Sequence, residues 1–322
     1  MIVRRAWMLI LAVGIGLFVV RPALAGPWSL KPGEYATDVS GSWYSAYHYG
    51  DENGDQRRLY GGGEYEQRTA SWLTEMGWKK SMSVVFGLPF TSITRAPGDA
   101  VPLRTTTVLG DGLFGLKWKL ANGARAAAIE VDASFPMGYQ KDLTLTHADS
   151  VAATRPDGTF DWNVARQISP PVAGDGATTV TGTLQLGTAL GKSAFLSGFG
   201  GLEYHGSYYD VRYRFGADLA FWFRDHWLIG GRYRSAITTG FAEARGEALF
   251  LGERNPTYDT SFHEAGPVIT YRVDDHLDVF ASTMHTMTIK NGYHTDEVRF
   301  GFTFKQTKLN RLQGYLGSTR HP

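Results

Sequence analysis

The chain contains no cysteine. That excludes disulfides, cysteine-ligated zinc and an N-terminal lipid-modified cysteine, and it suits a protein handled in an oxidising compartment. An excess of one charge is missing too. The 32 Lys+Arg against 31 Asp+Glu leave a formal net charge of +1, without the basic stripe that nucleic-acid binding normally shows. Long apolar runs are limited to one, "AWMLILAVGIGLFVV" (Ala6 to Val20). It follows Arg4 and Arg5 and precedes the small residues Ala23 to Ala25, the three parts of a secretory signal peptide over residues 1–25. Its removal takes away Arg4, Arg5 and Arg21 and moves the net charge from +1 to −2. Beyond residue 25 no segment approaches the roughly 18 apolar residues of a membrane helix. If the remainder lies in a membrane, it must be a closed barrel, because only closure satisfies strand backbone groups in lipid.

What the chain does have is alternation. In "VRYRFGADLAFWFRDHWLIGGRYR" (Val211 to Arg234), Tyr213, Phe215, Leu219, Phe221 and Phe223 occupy one phase, and Arg212, Arg214 and Asp218 the other. After "RDH" the pattern restarts with Trp227, Ile229 and Tyr233 against Arg232 and Arg234. Helical periodicity is scarce, and period-2 segments recur at 33–49, 62–77, 81–95, 104–120, 124–138, 177–190, 193–206, 209–223, 227–240, 259–273, 276–290 and 294–305.

The connections sort by length. Tight turns at "WKKS" (Trp78 to Ser81), "ANG" (Ala121 to Gly123), "GKS" (Gly191 to Ser193), "RDH" (Arg224 to His226) and "VDDH" (Val273 to His276) alternate mostly with longer links, at 50–61, 96–103, 139–176 and 241–258. Short turns on one side, long loops on the other and an even strand count are the pattern of an outer-membrane barrel. The expectation is an all-β chain: a closed antiparallel transmembrane β-barrel of about twelve strands over residues 26–305, with a C-terminal tail at 306–322. Both termini then fall on the periplasmic side. Trp43, Trp78, Trp118 and Trp227 lie near strand ends, where interfacial aromatic girdles belong. The 139–176 loop is long enough to fold into the mouth as a plug or lid.

Phase counting assigns the lumen. It turns Asp111, Lys117, Lys119, Glu130 and Asp132 inward on strands 4 and 5, then Glu203, Arg212, Arg214, Asp218, Arg232 and Arg234 on strands 7 to 9, and finally Glu264, Arg272 and Arg299. An arginine on the lipid face costs about 2–4 kcal/mol at mid-membrane, so four in one phase mark the inner wall. The list places acids on one wall and arginines on another. In a wet pore, such walls would set up a transverse field that discriminates solutes. In a dry barrel the same residues would be a salt-bridged filling, and twelve strands give a width between filled and open barrels.

Three motifs have bland readings beside functional ones. "GDGLFG" (Gly110 to Gly115) matches a dinucleotide fingerprint in letters, but the residues after it alternate as a strand where that fingerprint needs a helix. "DENGDQ" (Asp51 to Gln56) starts like a calcium loop, yet Gly62 stands where the twelfth-position glutamate belongs, and an ordinary Asp/Asn/Gly turn outside the membrane accounts for it. His205 and Ser207 form a His-x-Ser pair, the arrangement a lipid hydrolase would use; a rim histidine beside a loop serine is the plainer account.

Two hairpins carry a family resemblance. "EQRTASWLTEMGWKKSMSVVFGLPF" (Glu66 to Phe90) and "VLGDGLFGLKWKLANGARAAAIEVDASFPMG" (Val108 to Gly138) resemble segments of the proteobacterial outer-membrane family named for the meta-pathway of phenol degradation, whose members are often described as transporters. Trp118 stands where that family usually has tyrosine, and Met137 replaces the usual threonine of its "PtG". The resemblance implies a barrel of roughly twelve strands and uptake of small molecules.

The expected function is a passive outer-membrane channel for small solutes, aromatic or hydrophobic ones among them, and not an enzyme. A hydrolase built on His205 and Ser207, and a non-conducting structural or adhesive barrel, stay open as alternatives. Neither cofactor nor metal is called for. The expected partners are outer-membrane lipid, the solutes and the barrel-assembly machinery acting on the C-terminal strand, with no nucleic acid.

Overall fold

The computed structural model describes residues 30–51, 53–96, 104–121, 123–137, 178–191, 193–205, 211–224, 226–238, 261–290 and 292–306, with Pro27, Thr154 and 156–159 besides. The proposed signal peptide, most of the 139–176 loop, Ser207 and the C-terminal tail lie outside the described residues.

The strands are β1 (Tyr35–Gly50), β2 (Gln56–Arg58), β3 (Glu64–Lys79), β4 (Met82–Ala96), β5 (Arg104–Leu109), β6 (Gly112–Ala121), β7 (Arg125–Phe135), β8 (Thr179–Leu190), β9 (Ala194–His205), β10 (Arg212–Phe223), β11 (Trp227–Thr238), β12 (Ser261–Arg272), β13 (Leu277–Lys290) and β14 (Gly292–Gln306). They form one antiparallel sheet in which sequence neighbours pair and β14 returns to β1, running from Tyr35 opposite Gln306 to Gly50 opposite Gly292. Closure leaves no edge to the sheet as a whole, as lipid requires. Strand β2 is a three-residue addition to the end of β1, and β5 and β6 are two halves of one stave, so the barrel has twelve staves.

The break between β5 and β6 is a β-bulge. From Leu109 to Leu113 the chain advances four residues, while β4 advances three, from Phe90 to Gly87. The extra residue reverses the facing of β5 relative to β6. "GDGLFG" therefore supplies a bulge and then strand β6.

Alternation explains the two faces. Phe215, Leu219 and Phe221 on β10, Ile229 on β11, and Val298, Phe300, Phe302 and Phe304 on β14 all point outward, with Phe300 60% exposed. A water-soluble chain would bury such rings; facing lipid, they form the apolar band. Near the loop end the outward face turns polar. Arg68 and Glu66 continue the outward phase of β3, and Asp296 and His294 that of β14, while His285 stands directly opposite Asp296 on β13. Those strands therefore rise beyond the apolar band as a polar rim.

Local chemistry sets the turns. In the last tight turn Asp274 accepts hydrogen bonds from the amides of His276 (2.6 Å) and Leu277 (2.9 Å). Gly191 takes a left-handed φ of 73° in "GKS" at little cost, whereas Arg224 takes 51° in "RDH".

Candidate functional site: the barrel lumen

Pairing register decides which inward charges meet. On the β9–β12 wall, Arg212 lies directly opposite Glu203, Asp218 opposite Arg232, and Arg234 opposite Glu264. Glu203 holds two arginines, Arg212 at 3.0 Å and Arg214 at 2.7 Å. Arg232 donates to both oxygens of Asp218, at 2.7 and 3.3 Å, and Arg234 stands 3.9 Å from Glu264. The expected separation into an acidic and an arginine wall is not what the structure has: on this wall, acid and base alternate across adjacent strands. Antiparallel pairing produces this, because it sets inward positions of neighbouring strands directly against each other.

Two further groups line the wall. Lys117 reaches past β4 to Glu75 at 3.1 Å, and Gln185 donates to Glu130 at 2.9 Å, with Asp132 two residues along the same phase. Lys119 shares the inward phase opposite Ala128, and Asp111 sits in the bulge. Toward the turn end, Arg272 lies 3.8 Å from Asp278, which also binds Lys305. Arg299 donates to the Ser40 hydroxyl at 3.0 and 3.2 Å. Both arginines rest on aromatic faces, Arg272 over Trp222 at 4.1 Å and Arg299 over Phe280 at 5.6 Å. Glu75, Gln185, Asp278, Lys305 and Ser40 were not singled out from the sequence, although phase counting on their strands would have found them.

The arginines are not equally enclosed. The Glu203 side chain is 7% exposed and that of Arg212 16%, while Arg214 and Arg234 keep 46% and 36% exposure. Aromatic residues lie along the wall nearby. Phe199 folds against Gly216, where an added Cβ would come within 2.5 Å of its ring. At the loop end, Tyr65 and Tyr293 stack at 4.2 Å within a cluster that includes Tyr49, Ile93, Ala46 and Leu59. Phe195, Ala220 and Ala126 form a smaller cluster nearer the turn end.

The other motifs resolve differently. His205 ends β9, and with Ser207 outside the described residues the pair has no geometry to assess. The Asp51 carboxylate accepts the amides of Asn53 and Asp55, each at 2.9 Å, and pairs with Arg57 at 2.8 Å. That is a self-capping turn between β1 and β2 and not the opening of a calcium loop. Burial alone would raise the Asp51 pKa, but the two amides and Arg57 outweigh it and hold the carboxyl below its ordinary value.

No family model matches the chain, and no curated protein matches it either. Solved structures do. An outer membrane channel from Pseudomonas putida F1 superposes with a TM-score of 0.63 at 11% identity, covering 89% of this chain and all of that one. At this identity the likeness establishes the fold, a closed barrel of the outer-membrane type. The NanC porin (TM-score 0.43, 10% identity, 84% of this chain and 100% of that one) and the monoaromatic hydrocarbon channel CymD (0.43, 8%, 86% and 89%) are looser matches.

Proposed function

We propose that the protein is an outer-membrane channel whose water-filled lumen passes small solutes by diffusion, aromatic or hydrophobic ones among them. The observation that carries the reading is the exposure of Arg214 and Arg234, 46% and 36%, on the inward phase. A filled interior would close over both guanidinium groups, because an unhydrated charge needs short partners on every side. Arg234 has its acid only at 3.9 Å. Their field raises the local concentration of anions along the wall, while the aromatic surfaces of Trp222 and Phe280 offer apolar contact beside Arg272 and Arg299.

Planar-bilayer recording tests this. The wild-type protein should give discrete conductance steps with an anion preference that weakens as salt rises, since charges are screened over about 10 Å at 0.1 M. R214Q/R234Q should keep the conductance and lose much of the preference. A protein that inserts without conducting, or a variant with unchanged reversal potential, would overturn the reading.

A further inference from the structure

Outside the lumen, three histidines meet on the outward face of the polar rim. His294 on β14 pairs directly with His48 on β1, and His285 on β13 pairs with Asp296, two residues from His294. The rings of His285 and His294 lie 5.6 Å apart at 64°. A β-bulge at Tyr47 makes this possible: between Ala46 and His48 the register with β14 slips by one residue, which turns His48 to the outside with His294.

Each of the two closer rings already has one nitrogen engaged. His285 Nδ1 lies 2.5 Å from an Asp296 carboxylate oxygen, and the His294 ring hydrogen-bonds the backbone of Met287. A ligating imidazole characteristically donates its second nitrogen to a carboxylate or carbonyl, which fixes the ring and raises its basicity. His285 and His294 thus each have one nitrogen oriented and the other left for a ligand. Two imidazoles bound tetrahedrally to one ion at 2.0–2.1 Å place their ring centres about 5 Å apart, close to the separation here. Imidazole donors select borderline divalent ions over magnesium or calcium.

We propose that His285 and His294, oriented by Asp296 and the Met287 backbone, form the core of a surface site for a borderline divalent transition-metal ion such as Zn2+. Among the described residues no three His, Cys, Asp or Glu side chains are grouped to hold an ion, so the core supplies two protein ligands and water fills the rest. His48 pairs with His294 in register but is not one of the two ligands. Of the charged groups on adjoining strands, Asp296 favours a cation, Glu66 is already paired with Arg68 at 2.6 Å, and Arg58, opposite His48, opposes it. The side chains of His285 and Asp296 are 62% and 74% exposed, so an ion reaches them without any opening of the barrel.

The test is calorimetric titration of Zn2+ into the full chain in detergent, free of any histidine tag, at pH 7.5. One ion per chain is expected, with affinity at least tenfold weaker in H285A and in H294A and unchanged in H226A, whose ring sits at the turn end against the Arg272 carbonyl. With Cu2+ as probe, electron paramagnetic resonance should show coupling to two imidazole nitrogens, lost in H285A/H294A. Absence of binding by the wild type, or equal binding by the H285A/H294A variant, would overturn the site. Heat-modifiable gel mobility confirms that each variant is folded.

Discussion

Replacing both Arg212 and Arg214 with glutamine removes the two cations that hold Glu203 at 3.0 and 2.7 Å. The carboxylate is 5% exposed as a whole residue, so it cannot recover by hydration what it loses. Stranding a buried charge in this way costs about 3–5 kcal/mol. R214Q alone should behave differently. Arg214 is the more exposed partner, Arg212 stays at 3.0 Å, and an exposed ion pair contributes only about 0–1 kcal/mol. The double variant should therefore lose several-fold more stability than the sum of an isolated surface effect would suggest. Adding E203Q to it should restore most of the loss, because the stranded charge is gone. Urea unfolding of barrels refolded into lipid vesicles, followed by tryptophan fluorescence and gel mobility, reads all three. If R212Q/R214Q unfolds at the wild-type urea concentration, or if E203Q rescues nothing, Glu203 is not held by these arginines in the way the geometry indicates.

Phe300→Asp should block assembly while Ser282→Asp is tolerated: Phe300 faces lipid, where Arg or Lys costs about 2–4 kcal/mol at the midplane and an acid somewhat less, whereas Ser282 faces the lumen opposite Arg299. Recovery of both variants in equal yield from outer membranes would place the phase of β14 in error. Asp51→Ala should loosen the β1–β2 turn and speed hydrogen exchange at the Asn53 and Asp55 amides. Because the folded pKa of Asp51 lies below its unfolded value, the wild-type turn should keep its full stabilisation above the ordinary carboxylate pKa and lose it as pH falls through the lowered one. Exchange at those amides that is flat across this acid range would refute the capping role.

The strands were legible in the sequence because alternation is a local property. Each rests on side chains a few residues apart, and the twelve segments read from it meet the observed strands to within three residues at every end. The inward phase of Arg212, Arg214 and Asp218 was legible for the same reason: their neighbours on the chain are large apolar residues that only lipid can accept. Partners were not legible. Whether Arg234 meets Glu264 on β12 or Asp218 on β10 depends on how far one strand slides past the next, a quantity set by bulges and turns on both strands at once. The bulge at Gly110 reverses the facing of β5, and the one at Tyr47 turns His48 outward to His294; an unbroken count along either strand gives the opposite face. The sequence alone determined that this chain would be a barrel with an apolar outside and a charged inside. Only the closed sheet decided which charges neutralise each other and which histidines meet, because register is fixed by pairing with distant segments and no short stretch of chain contains it.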